Sequence, residues 1–582
     1  MCGIAGLALK PGAHVGIDTL GMLDKALAHR GPDGSGMYVN ERVAFVHRRL
    51  AVVDVATGDQ PLCGAGSTLI ANGEIYNNPE LRKSLPHVKF STLSDCEPPL
   101  FLNREGTDIV ATLRGMFAIA LDDSERGVMF LFRDPFGIKP LYVGQSVFGL
   151  AFASEPQALI AANLSPAAVD PQRLVELLHL QFCTGTTTVF PAISRLPPGS
   201  AVRLRDGVVE SSTIHDPIES GDAPDNEEEA LTRLDAVLAE SVEFHQRSDV
   251  PFGMFLSGGI DSATILAVMA RINEQKVQAF TAGFDHPSVA DEREAAKNCA
   301  RAVGAHHERV EVNERMVWRH LPEIVSAMDD PVADPAIIPT WFLAKFARGS
   351  VKVVLSGEGG DELFAGYGRY RGAARPWPFV RPMRKNSPFT VLGVLRNEND
   401  QWRAGIDRTR SRVSGTKLTR AQREDIAEWL PNDLLLKLDR CLMTHGVEGR
   451  TPFLDREVGR FAFSLPDRLR ARRGVGKYLL RRWLERYMPA ARPFAPKQGF
   501  DVPVGAWIEA RSAKLGDLVA RAPIVEQLAK PGTVRELFSH AGEKSAGVAC
   551  WRLLFLAVWH GRYALGRPAG GDVFDFLAEQ RR

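Results

Sequence analysis

The chain has 582 residues, of which 45% are hydrophobic and 24% are charged. These proportions are typical of soluble globular proteins and exclude a disordered or fibrous chain. The 71 Lys and Arg residues balance the 70 Asp and Glu residues, and the net charge of +1 gives no reason to expect a nucleic-acid partner.

Seven cysteines are scattered along the chain without a CxxC spacing, so the sequence predicts neither a disulfide framework nor a thiolate zinc site. No stretch approaches the ~20 consecutive apolar residues that span a bilayer. The first residues carry neither a basic segment nor a hydrophobic signal core. We therefore expect a cytoplasmic protein with no membrane partner.

The first part of the chain is predicted to form a β-rich domain spanning residues 2–205. Short β-favouring segments are separated by Gly, Asn and Asp turns, and helical periodicity interrupts them at residues 20–28 and 171–180. The predicted strands cover residues 3–9, 37–40, 43–54, 69–76, 116–121, 128–132 and 151–154.

An acidic stretch separates this domain from the rest of the chain. Residues 215–230 hold seven acidic residues and no Lys or Arg. Such a composition is typical of a solvated linker, which we predict to span residues 206–229.

Beyond the linker, strands alternate with helices, which predicts an α/β domain with a doubly wound parallel sheet over residues 230–565. The part after residue 400 is predicted to be mostly helical, and residues 566–582 to form a C-terminal tail. Residues 369–384, rich in Arg and Pro, are predicted to form an exposed loop. The predicted strands cover residues 252–256, 277–284, 307–312 and 351–355, and the predicted helices cover 230–246, 263–272 and 292–303.

Cys2 directly follows the initiator methionine. Removal of Met1 would leave a thiol and a free α-amine on one residue, and an amine with a pKa near ~7.7–8 is a workable general base for the thiol. A cysteine at this position is by itself more often an ordinary residue, so the case depends on the motifs that follow.

Three of those motifs supply groups that fit an amino-acid substrate. Arg49, in His-Arg-Arg-Leu, can hold an α-carboxylate through two parallel hydrogen bonds. Asn72 and Gly73 offer a side-chain amide and a backbone N–H as an oxyanion hole, where each donor contributes roughly 3 kcal/mol of transition-state stabilisation. Asp95 adds a carboxylate for an α-ammonium group.

The motifs MCGIAG, RGPDG, HRRLAVVD, NGEIYN, SDCE and RDPFGIKPLY follow one another through the first 160 residues. This segment resembles the class II glutamine amidotransferase domain, an N-terminal-nucleophile (Ntn) hydrolase with an αββα sandwich; residues 98–112 depart from the expected pattern. The resemblance implies that Cys2 is the nucleophile, that Asn72 and Gly73 stabilise the oxyanion, and that ammonia leaves from a glutamyl thioester. It also implies a glutamine-binding set of Arg49, Leu50, Ala51, Val52, Val53, Asn72, Gly73, Glu74 and Asp95.

A second group of motifs begins at Ser257-Gly258-Gly259-Ile260-Asp261-Ser262, which closes a predicted strand and opens a predicted helix. The two glycines let backbone amides approach a phosphate, and a helix N-terminus favours an anion. The string has no lysine and is not a Walker A loop. It resembles the pyrophosphatase loop of enzymes that cleave ATP to AMP and pyrophosphate, which implies adenylation rather than γ-phosphoryl transfer.

Another predicted strand ends in Ser-Gly-Glu-Gly-Gly-Asp-Glu, at residues 356–362. The carboxyl ends of parallel strands meet at the ligand-binding edge of a sheet. Asp261 and Asp361 are therefore candidate ligands of Mg²⁺, and Glu358 is placed to take a proton from attacking ammonia. The competing interpretation of this loop is a solvated acidic turn.

The motifs KLDR, EGRTPFLD, GKY and KQGF then follow in order between residues 437 and 500. Together with the two loops they resemble the synthetase domain of the glutamine-hydrolysing asparagine synthetase family, which has an adenine nucleotide hydrolase-like fold. The resemblance implies that Lys477 neutralises the leaving pyrophosphate, whereas Lys437 and Arg440 could simply form a salt-bridged helix face. The implied ATP-binding set is Leu256, Ser257, Gly258, Gly259, Asp261, Ser262, Ala282, Ser356 and Gly357.

Both resemblances together imply a glutamine-dependent asparagine synthetase that uses ATP and Mg²⁺, and the family resemblance suggests a homodimer. Ammonia made at Cys2 would pass through an internal tunnel, with Met116 in its wall, to an aspartyl adenylate, and the products would be asparagine, glutamate, AMP and pyrophosphate. Two alternatives stay open. One is the same chemistry on another carboxylate, such as a cell-envelope or exopolysaccharide precursor or a peptide. The other is an RNA-modifying protein, which the charge balance and the Cys2 motifs disfavour.

Overall fold

The computed structural model describes residues 2–219, 221–284, 286–287, 292–375, 378–381, 383–397, 400–495 and 502–579. Within these ranges, the first half of the chain is dominated by antiparallel strands, and the second half by a parallel sheet and many helices. None of the described helices is long and apolar enough to cross a bilayer.

Two antiparallel sheets form the described N-terminal half. Their strands are β1 (Cys2–Leu9), β2 (Gly34–Val39), β3 (Val43–Arg49), β4 (Leu62–Gly64), β5 (Ser67–Ile75), β6 (Gly115–Asp123), β7 (Val128–Arg133), β8 (Tyr142–Ser146), β9 (Gly149–Ala153), β10 (Ile193–Arg195), β11 (Ser200–Arg205) and β12 (Val208–Ile214). The first sheet has the order β10-β8-β9-β1-β3-β2, and the second has the order β12-β11-β7-β6-β5-β4. The helices of this half are α1 (Ile17–Leu27), α2 (Asn78–Ser84), α3 (Pro98–Arg104), α4 (Ile109–Thr112), α5 (Pro156–Ala161) and α6 (Pro171–Leu180).

Alternate side chains of these strands belong to different apolar layers. On β1, Leu7 packs in the cluster that contains the α1 residues, whereas Ile4 packs with residues of the second sheet. On β6, Ile119 packs with α3 and α4, and Ala118 packs between the sheets. This alternation follows from the two-residue period of a strand. The predicted αββα sandwich is confirmed, and Cys2, two residues before Ile4, lies on the face between the sheets.

The structure differs from the prediction at the start of the acidic linker. Residues 208–214 form β12, which pairs with β11 at the edge of the second sheet. The intervening Asp206 and Gly207 have φ values of 52° and 75°, the left-handed conformation that a tight hairpin turn requires. The acidic residues at 227–229 are instead the first turn of a helix, where carboxylates favour the positive end of the helix dipole.

A parallel sheet organises the second half. Its strands are β13 (Phe252–Phe255), β14 (Gln278–Phe284), β15 (His306–Val312), β16 (Val353–Leu355) and β17 (Glu448–Arg450), in the order β15-β14-β13-β16-β17. Val354 packs with one apolar cluster and its neighbours Val353 and Leu355 with another, so both faces of the sheet are covered. The predicted doubly wound domain is thereby confirmed.

Helices cover both faces of this sheet and continue to the end of the described chain. They are α7 (Glu227–His245), α8 (Ile260–Ile272), α9 (Glu292–Ala302), α10 (Glu314–Ser326), α11 (Ile337–Ala347), α12 (Gly360–Leu363), α13 (Gly368–Ala373), α14 (Pro388–Leu392), α15 (Ala404–Arg412), α16 (Lys417–Ala427), α17 (Leu435–Met443), α18 (Arg456–Ser464), α19 (Asp467–Arg470), α20 (Tyr478–Tyr487), α21 (Val504–Glu509), α22 (Ser512–Ala520), α23 (Pro523–Leu528), α24 (Thr533–Ser539), α25 (Lys544–Tyr563) and α26 (Val573–Ala578). A short hairpin of β18 (Ala471–Arg472) and β19 (Val475–Gly476) precedes α20.

Two segments are more ordered than the sequence suggests. The predicted exposed loop at 369–384 begins inside α13, where Tyr370 is fully buried and Arg369 pairs with the buried Asp425 at 2.7 Å. The predicted C-terminal tail contains α26, which buries Phe576 and Leu577. Tertiary contacts decide both outcomes: α13 pairs with Asp425, and α26 packs on α10, α22 and α25.

Buried ion pairs join the two halves. Arg30, which is fully buried, contacts Glu155 of its own half and Asp439 of α17, each at 2.8 Å. Arg440, the next residue of α17, also contacts Glu155, at 3.4 Å. Breaking one buried pair leaves an uncompensated charge and is strongly unfavourable. These pairs therefore hold α17 in one orientation against the sandwich.

Candidate active sites

Cys2 starts β1 and is almost fully buried between the two sheets. Its backbone nitrogen donates to Asn72 Oδ1 at 3.1 Å, and its carbonyl oxygen accepts from Arg30 Nε at 3.1 Å. Burial raises the pKa of the Cys2 thiol, although the backbone N–H of Leu50 and the charge of Arg49 oppose the rise. A thiol in this state needs a neighbouring base to become a nucleophile.

Asn72 and Gly73 lie next to Cys2 on β5. Among the described residues, the buried Asn72 Nδ2 finds no acceptor. The backbone N–H groups of Ala71 and Ile75 point away from β6, to Gln60 Oε1 and Asp95 Oδ2. Backbone N–H groups of every second residue point to the same side of a strand, so the N–H of Gly73, between Ala71 and Ile75, also points away from β6. A Cβ at Gly73 would lie 2.1 Å from the Met116 carbonyl oxygen, so this approach of β5 to β6 requires glycine.

Arg49 lies opposite Cys2 in the first sheet. Its guanidinium donates to the carbonyl oxygens of Val53 at 3.4 Å and Asp54 at 2.5 Å, and to the carboxylate of Asp59 at 2.7 Å. The Asp59 side chain is 82% exposed, so a substrate carboxylate could displace it without leaving a buried charge. The loop that Arg49 holds includes the buried residues Leu50, Ala51 and Val52 and the half-buried Val53.

Two buried carboxylates lie at the end of β5. Asp95 Oδ2 accepts from the backbone N–H of Ile75 at 2.6 Å, and Glu74 is the preceding residue. Burial raises the pKa of both carboxyl groups, and the charge of Asp95 raises that of Glu74 further. Adjacent carboxylates that disfavour each other's ionisation fit an ammonium ligand, which relieves the repulsion.

The loop after β13 has the shape of an anion-binding turn. Gly258 has a φ of +76°, and a Cβ there would lie 2.6 Å from the Ala296 nitrogen, so the turn requires glycine. The Ser257 and Ser262 hydroxyls lie 3.1 Å apart and close the loop. Helix α8 starts directly after Gly259 with no side-chain cap. Its first backbone N–H groups therefore remain available for a phosphate.

The second predicted loop packs directly on the first, because β13 and β16 are paired neighbours. A Cβ at Gly357 would lie 2.9 Å from Asp261 Cβ, and one at Gly360 would lie 2.4 Å from Asp261 Oδ1. Glycines thus allow the two loops to meet at the carboxyl edge of the sheet. Leu256, Ala282 and Ser356 are buried around this edge.

Lys477 bridges the two loops. Its ammonium contacts the carboxylates of Asp261 and Asp361, the latter at 2.7 Å. Burial lowers the pKa of Lys477, but the two carboxylate charges outweigh it and raise the pKa. Lys477 also has a φ of +54°, an uncommon conformation for a residue other than glycine. The facing carboxylates offer the oxygen ligands that Mg²⁺ prefers, so the donor set fits this ion, with Lys477 as its competitor.

Glu358 lies between these loops and α17. It is half-buried, and burial raises its pKa, while the charge of Lys437 lowers it. Lys437 Nζ contacts Asp334 at 3.0 Å, and Arg440 contacts Asp329 at 2.8 Å, so both residues form salt bridges, as the alternative interpretation expects. The KQGF motif at 497–500 lies outside the described residues.

The structure therefore gathers the predicted residues into two groups, one around Cys2 and one around Asp261. Met116 lies between them, in an apolar cluster that contains Leu50 and Val52 of the sandwich together with Leu256 and Leu355 of the parallel sheet.

The sequence did not reveal which residues of the second half contact the N-terminal half near the group around Cys2. Asp249 accepts from the backbone N–H of Asp54 at 2.7 Å, and Arg247 donates to the Tyr76 carbonyl. Arg450 contacts Glu74 at 3.3 Å. Arg450 belongs to the EGRTPFLD motif, so its presence was visible in the sequence, but its partner was not.

Comparisons with known proteins agree with the division of the chain into two halves. A family model described as asparagine synthase matches residues 233–561, and one described as a glutamine amidotransferase domain matches residues 1–214. The chain is 31% identical over 617 residues to asparagine synthetase [glutamine-hydrolyzing] 1 of Bacillus subtilis (strain 168), with 96% of each chain covered.

Two further relatives carry similar names. A putative asparagine synthetase [glutamine-hydrolyzing] of Mycobacterium tuberculosis (strain ATCC 25618 / H37Rv) is 33% identical over 641 residues, covering 96% of this chain and 97% of the relative. Asparagine synthetase B of Escherichia coli (strain K12) is 29% identical over 511 residues, covering 84% and 79%. With both halves matched and nearly the whole chain aligned, this protein belongs to the glutamine-hydrolysing asparagine synthetase family.

Proposed function

We propose that this protein is a glutamine-dependent asparagine synthetase that works in the cytoplasm. It hydrolyses glutamine at Cys2 and uses the ammonia to convert aspartate and ATP to asparagine, AMP and pyrophosphate. The observation that carries the proposal is the pairing of a buried Cys2–Asn72 contact in one half with the Lys477-bridged loops in the other, joined by one apolar cluster.

The first step is attack by the Cys2 sulfur on the side-chain amide carbon of glutamine. With Met1 removed, the nitrogen that contacts Asn72 Oδ1 is the α-amine, which takes the thiol proton and returns it to the departing ammonia. Asn72 Nδ2 and the Gly73 N–H stabilise the oxyanion. Water then cleaves the glutamyl thioester to give glutamate and the free thiol.

The glutamine backbone is held by opposite charges. Arg49 binds the α-carboxylate in place of the exposed Asp59, and Glu74 with Asp95 binds the α-ammonium. Ammonia then crosses the apolar cluster that includes Met116. An apolar path keeps ammonia uncharged, because burial disfavours the ammonium ion.

At the second site, an aspartate carboxylate oxygen attacks the α-phosphorus of ATP, and the bond to pyrophosphate breaks. The loops after β13 and β16 supply backbone N–H groups to the phosphates, and Lys477 offsets the charge that develops on pyrophosphate. Mg²⁺ held by Asp261 and Asp361 would neutralise further phosphate charge. Glu358 takes a proton from ammonia as it displaces AMP from the acyl adenylate.

The experiment is an incubation of the purified protein with amide-labelled glutamine, ATP and Mg²⁺, in parallel with aspartate, a sugar acid and a peptide carboxylate. We expect AMP and labelled asparagine in the aspartate reaction alone, whereas glutamate forms in every reaction, because hydrolysis at Cys2 does not require the acceptor. If the label appears in the amide of another acid, that acid and not aspartate is the acceptor. Absence of both glutamate and AMP from every reaction would refute the proposal.

A further inference from the structure

The candidate glutamine pocket is completed by an arginine of the other half. Arg450 ends β17 and is fully buried. Its Nη2 lies 3.3 Å from Glu74 Oε2, although the two residues are 376 positions apart in the sequence. A side chain of the parallel sheet thus contacts a carboxylate that we assign to the α-ammonium of glutamine.

Other contacts hold the Arg450 guanidinium in this orientation. Its Nε pairs with Glu448 Oε1 at 2.6 Å, and its Nη1 donates to the carbonyl oxygens of His245 at 3.0 Å and Arg247 at 2.7 Å. Three fixed contacts leave Nη2 in an ion pair with Glu74. A planar guanidinium can satisfy such a set of acceptors, which a flexible ammonium cannot do as well.

The charges around Glu74 explain why a cation is needed there. Several ionisable groups face this carboxylate: Asp95, Cys96, Tyr76, Glu448, Arg450 and, in the processed chain, the α-amine of Cys2. Burial and Asp95 raise the pKa of Glu74, and the charge of Arg450 lowers it. A carboxylate that lost this partner would more readily bind a proton and could no longer attract an ammonium group.

The main chain of the same residue borders the second site. The Arg450 carbonyl oxygen accepts from the backbone N–H of Ser356 at 2.8 Å, and Ser356 begins the loop that carries Gly357 and Glu358. Arg450 therefore lies between the two groups of predicted site residues, and its side chain serves the first.

We propose that Arg450 is a positioning residue for the glutamine site, which holds the Glu74 carboxylate in place for the substrate α-ammonium. Glutamine binding then depends on a side chain of the synthetase half. This inference rests on the proposed function, because it assumes that glutamine binds beside Cys2.

The first test is Arg450→Met, which removes the charge and keeps a long side chain. We expect the KM for glutamine to rise about tenfold or more, as for the loss of one partner of a buried charge pair, with kcat of glutamine hydrolysis changed much less. Ammonia-driven amide formation should continue. The KM for glutamine should fall as pH rises, and more strongly in the variant than in the wild-type protein, because loss of the Arg450 charge raises the pKa of Glu74 and leaves less carboxylate at low pH.

Two variants control for structural damage. Arg450→Lys restores a positive charge and should lower the KM again and remove its added pH dependence. Arg470→Met also removes a buried arginine of the same half, but the described partners of Arg470 are Thr419, Gln422 and Asp467, so the KM for glutamine should not change. An unchanged KM in Arg450→Met, or equal losses of glutamine-driven and ammonia-driven activity in both Arg450 variants, would overturn the inference.

A binding measurement separates this inference from the proposed function. Calorimetry with glutamine compares the Cys2→Ala protein with the Cys2→Ala, Arg450→Met protein, so that no turnover is needed. Weaker binding in the double variant supports the role of Arg450, and equal binding contradicts it. If Cys2→Ala binds no glutamine and the wild-type protein hydrolyses none, the proposed function fails, and the inference fails with it.

Discussion

The two candidate sites are built on different kinds of backbone. Around Cys2, the predicted chemical groups stand on neighbouring strands, where register fixes Cys2 opposite Arg49. Around Asp261, they stand on loops in which Gly258 and Gly359 have φ values of +76° and +91°. A nucleophilic thiol must be held in a fixed position relative to the groups that bind its substrate, which paired strands provide. Phosphate binding needs exposed backbone N–H groups, which glycine turns provide.

The sites also differ in how their charges are balanced. Asp261 and Asp361 both contact the ammonium of Lys477, which belongs to the same half of the chain. Glu74 lies beside Asp95 and receives its cationic partner, Arg450, from the other half. The candidate nucleotide site thus has a cation of its own half, whereas the candidate glutamine site depends on contact between the halves. The following predictions test this contrast, in order of decreasing effect.

The largest expected effect separates the two sites. Cys2→Ala should lower glutamine-driven amide formation by about 1,000-fold or more, because the nucleophile is lost, and should leave ammonia-driven formation unchanged. Steady-state assays with each nitrogen source measure this. The exposed Cys63 provides a matched control, and Cys63→Ala should retain both activities. Equal loss of both activities in Cys2→Ala would contradict the existence of two separate sites.

The converse change acts on the nucleotide site. Lys477→Met should lower ATP–pyrophosphate exchange by about 100-fold or more, since one charge-stabilising group is removed, while glutamine hydrolysis persists. Lys297, a partly exposed residue that pairs with Glu294, supplies the control Lys297→Met, which should leave the exchange rate unchanged. Exchange at the wild-type rate in Lys477→Met would remove this residue from the reaction.

A smaller effect is expected at Glu358. Glu358→Gln should slow amide formation about 100-fold with either nitrogen source, in the range typical of a lost general base. Since burial raises the pKa of Glu358 and the base must be ionised, the acid limb of the wild-type pH profile should lie above that of an ordinary glutamate. The profile is measured with free ammonia held constant, and its acid limb should disappear in Glu358→Gln. Unaltered rates in the variant would exclude the proposed role.

The smallest effect concerns the glycine turns. Gly258→Ala should destabilise the fold by about 1–3 kcal/mol and raise the KM for ATP, because the residue has a positive φ and its Cβ would meet the Ala296 nitrogen. Gly304, with a φ of +68° and open space around its Cβ position, is the control for backbone strain alone. Gly304→Ala should be less destabilising in thermal unfolding. Equal effects of the two substitutions would show that crowding at Gly258 does not matter.

Local signals explain why much of the fold could be predicted. The apolar run that forms β1 and the alternation of strands with helices after residue 250 are properties of short segments, and both predictions are confirmed. The Asp206-Gly207 turn that begins β12 was also visible, but the acidic residues that follow it favoured a linker. The order of α13, with its buried Tyr370, and of α26 could not be predicted, because both depend on tertiary contacts such as that of Arg369 with Asp425.

The sequence by itself determined the family and predicted the two sets of candidate site residues, because each motif places its chemical groups within a few positions of one another. Only the tertiary structure decided which groups meet across the halves: Arg450 with Glu74, Asp249 with Asp54, and Arg30 with Asp439. These pairs join residues about 100 or more positions apart. Their contacts depend on how the parallel sheet and α17 pack against the sandwich, which no local pattern of residues encodes.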